Sequence, residues 1–172
     1  MPEHFKHYAR CRDTVLERYS DLRPNFPDSP WAAATVNFGP KTACFCHLDS
    51  NNLAFGCCSI TALGEFDPAA GGHIILWECG VVMTFPPGST IIIPSACISH
   101  SNTAIQSHET RYSFTQYTAR GLFRFMECNF QQSDEFWNSL NEGERAEEEE
   151  KSRRQLEWGL ALFRTLEDLQ KM

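Results

Sequence analysis

The chain has 172 residues, 42% of them hydrophobic and 22% charged, which suits one globular domain large enough to bury a core. Its formal net charge of −7 leaves no bulk basic footprint of the kind that nucleic-acid binders carry. No apolar run reaches the roughly 18 residues of a membrane span, and Met1-Pro2-Glu3-His4 does not open a secretory signal, so the expected setting is intracellular, cytoplasmic or nuclear.

In chain order, Phe5, Tyr8, Val15, Leu16 and Tyr19 recur at helical spacing and predict an amphipathic helix over 4–20, packed outside a sheet. Pro24, Pro27 and Pro30 then forbid regular structure as far as Trp31. From Ala33 to about Phe125 the pattern changes to short apolar runs, clearest at 57–63, 73–77, 81–85, 90–93, 97–100 and 110–117. Asp67-Pro68, Gly71-Gly72, Gly80 and Pro86-Pro87-Gly88 punctuate them with turn chemistry. Many short, regularly spaced strands predict a sandwich, barrel or jelly roll.

Beyond Asn129 the chain turns helical again. Ser133 is placed to cap a short helix carrying Phe136, Trp137 and Leu140, with Asn141-Glu142-Gly143 ending it. A last helix over about 144–171 follows. Its pairs Glu147 with Lys151, Glu149 with Arg153 and Glu150 with Arg154 are four apart and predict a solvated face. Leu156, Leu160, Phe163 and Leu169 form its expected apolar stripe, for packing on a sheet or a partner. The expectation is one domain over 1–172, mainly β with flanking helices: a helix and Pro-rich lead-in over 1–32, a β core over 33–128 and helices over 129–172.

Of the eight cysteines, Cys44, Cys46, Cys57, Cys58, Cys79 and Cys97 sit in or beside apolar runs and read as buried free thiols. A zinc site on Cys44, Cys46 and His47 lacks the second Cys-x-x-Cys or His pair that would complete it.

The chemistry-bearing stretch is Cys44-Phe45-Cys46-His47-Leu48-Asp49, a His-x-Asp pair where a β-like alternation ends. On an extended chain residues i and i+2 point the same way, so His47 and Asp49 can face one point in space. With His100 arriving from a distant strand they would make a two-histidine, one-carboxylate set, which leaves positions open on non-haem Fe(II). Each residue also has a plain structural role open to it. His47 suits a strand edge, Asp49 with Ser50 and Asn51 starts a turn, and His100 has Ser99 or Asn102 as partners. His73 is the rival ligand but lacks a carboxylate two residues on, and reads as structural or substrate-side.

In the run 110–117, the period of two puts Arg111, Ser113, Thr115 and Tyr117 on one face. If that face points inward, a buried arginine without an anion costs several kcal/mol. A guanidinium fork is the geometry that holds a carboxylate through two parallel hydrogen bonds, and Ser113 supplies a third.

The order His47-x-Asp49, Gly71-Gly72, Phe85-Pro86-Pro87-Gly88-Ser89, His100 and Arg111-x-Ser113 resembles the Fe(II)/2-oxoglutarate-dependent dioxygenases. The stretch 37–125 is similar to the TET/JBP-like oxygenase domains abundant in mushroom-forming fungi. The resemblance implies a double-stranded β-helix, the jelly-roll core shared with cupins. It implies Fe(II) on His47, Asp49 and His100, and 2-oxoglutarate bound by Arg111 and Ser113. It further implies consumption of dioxygen, release of succinate and oxidation of a C–H bond, with a methylated nucleobase as the substrate TET/JBP-like enzymes suggest. The acidic balance and the lack of a basic helix lean away from nucleic acid, and protein side chains or a small metabolite stay open as substrates. The alternative is a catalytically inactive cupin-like barrel that binds a ligand or protein, or a scaffold for interactions made by the terminal helices. Oligomeric state is not legible.

Overall fold

A computed structural model describes residues 2–171. They fall into two compact units: Trp31–Thr118, and a second made of residues 2–30 with 119–171.

The first unit holds β1 (Ala33–Asn37), β2 (Cys58–Glu65), β3 (Ile74–Leu76), β4 (Val81–Met83), β5 (Thr90–Ile93), β6 (His100–Asn102) and β7 (Thr110–Tyr117). They form two antiparallel sheets, a four-stranded one in the order β1-β7-β2-β5 and a three-stranded one in the order β4-β3-β6. Register fixes which side chains share a face. Ile60, Ala62 and Gly64 of β2 stand opposite Thr115, Ser113 and Arg111 of β7, and Thr35 and Asn37 of β1 stand opposite Thr115 and Ser113. In the other sheet Ile74 and Leu76 oppose Asn102 and His100.

Buried Ala62, Phe66, Ile74 and Phe85, with Ile60, Leu76, Met83, Ile91 and Ile105 around them, draw on both sheets and form the apolar core between them. Two glycines are required by backbone geometry. Gly64 lies at φ +117 in β2, where a Cβ would meet the Thr110 carbonyl oxygen at 2.4 Å. Gly72, at φ +70, lies against the Phe66 ring, 2.5 Å from a would-be Cβ.

The expected run 97–100 is strand only from His100. The amides of Cys97 and Ile98 donate to the Pro94 carbonyl at 2.9 and 3.0 Å, so a turn precedes β6. The sheets also end earlier than expected, because the apolar run after Thr118 is helical. Leu122, Phe123, Phe125 and Met126 suit a short strand or a helix equally by composition. Tertiary packing decides it.

The second unit holds α1 (Pro2–Arg18), α2 (Arg120–Glu127), α3 (Ser133–Ser139), α4 (Glu142–Leu160) and α5 (Leu166–Gln170). Phe123, 1% exposed, stacks on His7 at 4.9 Å and meets Tyr8 edge-on at 5.3 Å, which ties α2 to α1.

Three expectations about the C-terminal helices are corrected. Ser133 is the first helical residue rather than a cap, and Gln132 precedes it without a side-chain bond. Asn141 begins α4 instead of ending α3: its side chain accepts from Glu144 N while the Glu144 carboxylate accepts from Asn141 N, a capping box. The single helix over 144–171 is two, because Thr165 and Asp168 form a second capping box that restarts the chain as α5.

That break also changes the apolar stripe. Leu156 and Leu160 are exposed, while Trp158 packs on His7 and Phe163 on His4, with ring centroids 4.8 and 4.3 Å apart. Leu169 has its side chain outside the described residues. Glu150 and Arg154 pair four apart at 2.7 Å, whereas Lys151 reaches Glu148 and Arg153 reaches Glu150, each three residues back. Among the described residues, no helix is long and apolar enough to cross a membrane.

Candidate metal centre

His47 and His100 meet through reciprocal backbone hydrogen bonds in an isolated antiparallel bridge, His47 N to His100 O at 3.2 Å and His100 N to His47 O at 3.0 Å. That bridge brings the imidazoles to a centroid separation of 4.3 Å. Asp49, two residues beyond His47, places Oδ1 3.7 Å from His47 Nε2. One ligand atom from each of His47, Asp49 and His100 lies within 4.8 Å of the others. His100 is buried, Asp49 half-buried and His47 exposed, so the cluster is anchored on one side and open on the other.

The ring orientations test whether this set fits a metal. His47 Nδ1 lies 2.8 Å from the Phe45 carbonyl oxygen, and His100 Nδ1 lies 3.1 Å from the Ile98 carbonyl oxygen. A carbonyl only accepts, so each Nδ1 carries a proton, and in the neutral form of each ring the lone pair is on Nε2. Second-sphere hydrogen bonds of this kind fix the tautomer of metal-binding histidines. Two imidazole nitrogens and one carboxylate oxygen fit a divalent first-row metal, and their number fits the facial set typical of non-haem Fe(II). Neither Cys44 nor Cys46 joins the converging donors, so the zinc arrangement built on them is not formed.

Beside this cluster, β7 turns Arg111, Ser113, Thr115 and Tyr117 toward one cavity of about 390 Å³. His47, Asp49, His100, Asn37, Asn102, Ile60, Ile74 and Phe85 also line it. Arg111 is 3% exposed. Its Nη1 donates to the Thr42 carbonyl oxygen at 3.0 Å, while its Nε is buried without a hydrogen-bond partner among the described residues. Burial pushes the guanidinium below its ordinary pKa, so the folded chain bears the cost of keeping this cation out of water. A carboxylate is the ligand whose geometry repays that cost. Ser113 Oγ accepts from Asn37 Nδ2 at 2.8 Å, which leaves the serine O–H free to donate into the cavity.

Sequence reasoning missed Asn37 and Asn52, and offered Asn102 only as a partner for His100, whose Nδ1 instead faces the Ile98 carbonyl. Asn102 accepts from Cys44 N at 2.8 Å and so fastens the loop before His47 onto β6. A lone asparagine carries no periodic signal, and only the β1–β7 register places Asn37 opposite Ser113. His73 is held by Thr103, whose Oγ1 accepts from His73 N at 2.9 Å and lies 3.1 Å from His73 Nδ1. It is absent from the cavity lining, as a structural role requires.

All eight cysteines are free. Cys57 and Cys58 are buried, with burial pushing their thiols up to about 12 and about 11. Cys46, Cys79 and Cys97 are exposed and Cys44 half-buried, against the expectation of burial, because they occupy loops and turns rather than strand interiors.

No family model matches this chain, and no curated protein matches it. Solved structures do. One is NgTET1 in complex with 5mC DNA, at 16% identity and TM-score 0.48, covering 62% of this chain and 42% of that one. Another is the viral collagen prolyl hydroxylase of Paramecium bursaria Chlorella virus-1 in complex with 2OG, at 10% identity and TM-score 0.35, covering 60% and 66%. A third, from Ralstonia eutropha JMP134 and assigned as a mannose-6-phosphate isomerase, is 13% identical at TM-score 0.36, covering 59% and 94%. The chemistry rests on the residues.

Proposed function

We propose that this chain is an Fe(II)- and 2-oxoglutarate-dependent oxygenase that hydroxylates a C–H bond of a substrate without a polyanionic backbone, on a double-stranded β-helix core within one domain. The observation that carries the reading is that a buried, underused guanidinium and a facial donor set share one cavity. Either alone has a structural explanation. Together they match a co-substrate that must bind a metal at one end and a cation at the other.

In this reading His47 Nε2, His100 Nε2 and an Asp49 oxygen hold Fe(II), and Arg111 with Ser113 receives the far carboxylate of 2-oxoglutarate. The iron and its co-substrate, when bound, supply the oxidising power to break an unreactive C–H bond, with dioxygen consumed and succinate and carbon dioxide released. The chain's own residues orient and exclude. The Phe45 and Ile98 carbonyls keep the histidine lone pairs aimed at the metal. Asn37 keeps Ser113 available as a donor. Ile60, Ile74 and Phe85 give the cavity an apolar wall.

Charge supports the substrate class. The unit Trp31–Thr118 contains two basic residues, Lys41 and Arg111, against Asp49, Glu65, Asp67, Glu78 and Glu109. With Arg111 committed inside the cavity, Lys41 is the one basic side chain that this unit offers to phosphate, fewer than duplex binding requires. A small metabolite or a protein side chain fits better than a methylated base in duplex DNA.

The test is anaerobic addition of Fe(II) and 2-oxoglutarate, followed by admission of dioxygen and succinate measurement with methylated DNA, RNA, peptides and small metabolites. The expected result is a weak metal-to-ligand charge-transfer band, lost in His100→Ala, and succinate release stimulated by an uncharged substrate. A chain that binds 2-oxoglutarate yet releases no succinate with any substrate would be the inactive cupin-like barrel instead.

A further inference from the structure

We infer that Asn52 is a positioning residue for the metal: anchored on buried Ser95, its side-chain amide engages the second oxygen of Asp49, so that Asp49 presents one oxygen toward His47. This rests on the metal reading proposed above.

The two oxygens of Asp49 have different surroundings. Oδ1 faces His47 Nε2 at 3.7 Å, while Oδ2 accepts from Asn52 Nδ2 at 3.4 Å. The latter bond is long, and it belongs to a closed ring of shorter ones. Asn52 Nδ2 also donates to Ser95 Oγ at 3.1 Å. Asp49 N donates to the Ser95 carbonyl oxygen at 2.9 Å, and Asn52 N donates to the Asp49 carbonyl oxygen at 2.8 Å. Ser95 is 1% exposed and is also hydrogen-bonded to the buried Cys58 thiol, so the ring is fixed to the interior rather than to a mobile loop tip.

The consequence is chemical. Carboxylates bind metals through one oxygen or both. A facial donor set works by keeping coordination positions open, and a carboxylate that swings to two-oxygen binding closes one of them. An amide donor on Oδ2 biases Asp49 toward the one-oxygen mode. Outer-sphere partners of this kind typically contribute about 10- to 100-fold in metal affinity. An ordinary turn-closing role for the same ring would affect folding and leave the coordination of a bound metal unchanged.

The experiment titrates Co(II) into the full chain under anaerobic conditions, following heat and the visible d–d spectrum, with thermal unfolding of each metal-free variant alongside. Wild type is expected to bind one equivalent. Asn52→Ala is expected to bind about 10- to 100-fold more weakly with a changed d–d spectrum, as Asp49 becomes free to use either oxygen or both. Ser95→Ala, which removes the anchor and keeps the amide, is expected to move affinity and spectrum the same way by less, and stands in if Asn52→Ala does not fold. Folded Asn52→Ala or Ser95→Ala with wild-type affinity and spectrum overturns the inference. Wild type without stoichiometric binding, or binding that His100→Ala leaves intact, overturns the metal reading itself, so the two failures are distinguishable.

Discussion

The interior of the β unit has two ends built from the same strands. At one, Ala62 and Phe66 pack with Leu76, Met83, Ile91 and Ile105, while Ile60, Ile74 and Phe85 stand between this end and the cavity. At the other, Thr35, Asn37, His100, Asn102, Arg111, Ser113 and Thr115 line an open cavity. β2 and β7 pair in one unbroken antiparallel register from Ser59 to Glu65, so pairing does not distinguish the ends. Side-chain chemistry does. Burial of the apolar end stabilises the fold, at about 25 cal/mol per Å² of apolar surface. The polar end opposes folding through a guanidinium with an unpartnered nitrogen, and such a cost persists in a chain that uses it for a ligand.

The largest effect that would break this contrast is His100→Ala. Metal binding by titration is expected to disappear, while denaturant unfolding of the metal-free chain stays close to wild type. At the apolar end Phe66→Ala should do the reverse. Its stability cost is expected to be about 3–5 kcal/mol by urea unfolding, and any folded fraction should still bind metal. Equal stability losses at both ends would show that the polar end is ordinary core.

Arg111→Met sharpens the contrast further, because it removes a charge from the interior and keeps the bulk. The ligand-free chain is expected to gain about 1 kcal/mol in urea unfolding, with 2-oxoglutarate affinity by calorimetry falling at least tenfold. A variant that is less stable and binds equally well would make Arg111 a structural residue held by the Thr42 carbonyl. Asn37→Ala should act more gently. With Ser113 no longer oriented as a donor, 2-oxoglutarate binding is expected to weaken by a few-fold, the scale of one neutral hydrogen bond of about 1 kcal/mol.

The smallest effect is a control outside the cavity. Burial raises the Glu127 carboxyl above its ordinary 4.5, partly offset by Lys151 and by the hydrogen bond from Gln155. A carboxyl whose folded pKa lies above its unfolded value stabilises the protonated fold. That contribution is complete below 4.5 and is lost as pH rises through the raised value. Glu127→Gln is therefore expected to flatten the fall in Tm across this window, by about 1–2 °C, with no change in metal binding.

Much of the β unit was legible because a period of two is a strong local signal. The strand expected at 110–117 is β7, and the shared face of Arg111, Ser113, Thr115 and Tyr117 does line the cavity. His47 and Asp49 were legible as an i, i+2 pair for the same reason. The run at 120–127 was not, since four apolar residues in eight satisfy a strand and a helix alike until Phe123 finds Tyr8 and His7. Asn141 was read as a helix end although Glu144 three residues on completes a capping box, and the Thr165–Asp168 box went unread inside what patterned as one continuous helix.

By itself the sequence determined the donors, their types and the alternation that aims them, because those follow from covalent spacing. Tertiary structure alone decided that His47 and His100, fifty-three positions apart, exchange backbone hydrogen bonds, that carbonyls pin both Nδ1 atoms, and that Asn37 and Asn52 stand behind Ser113 and Asp49. Pairing register and hydrogen-bond direction are long-range properties, set when the sheets close over a common interior rather than along any one segment.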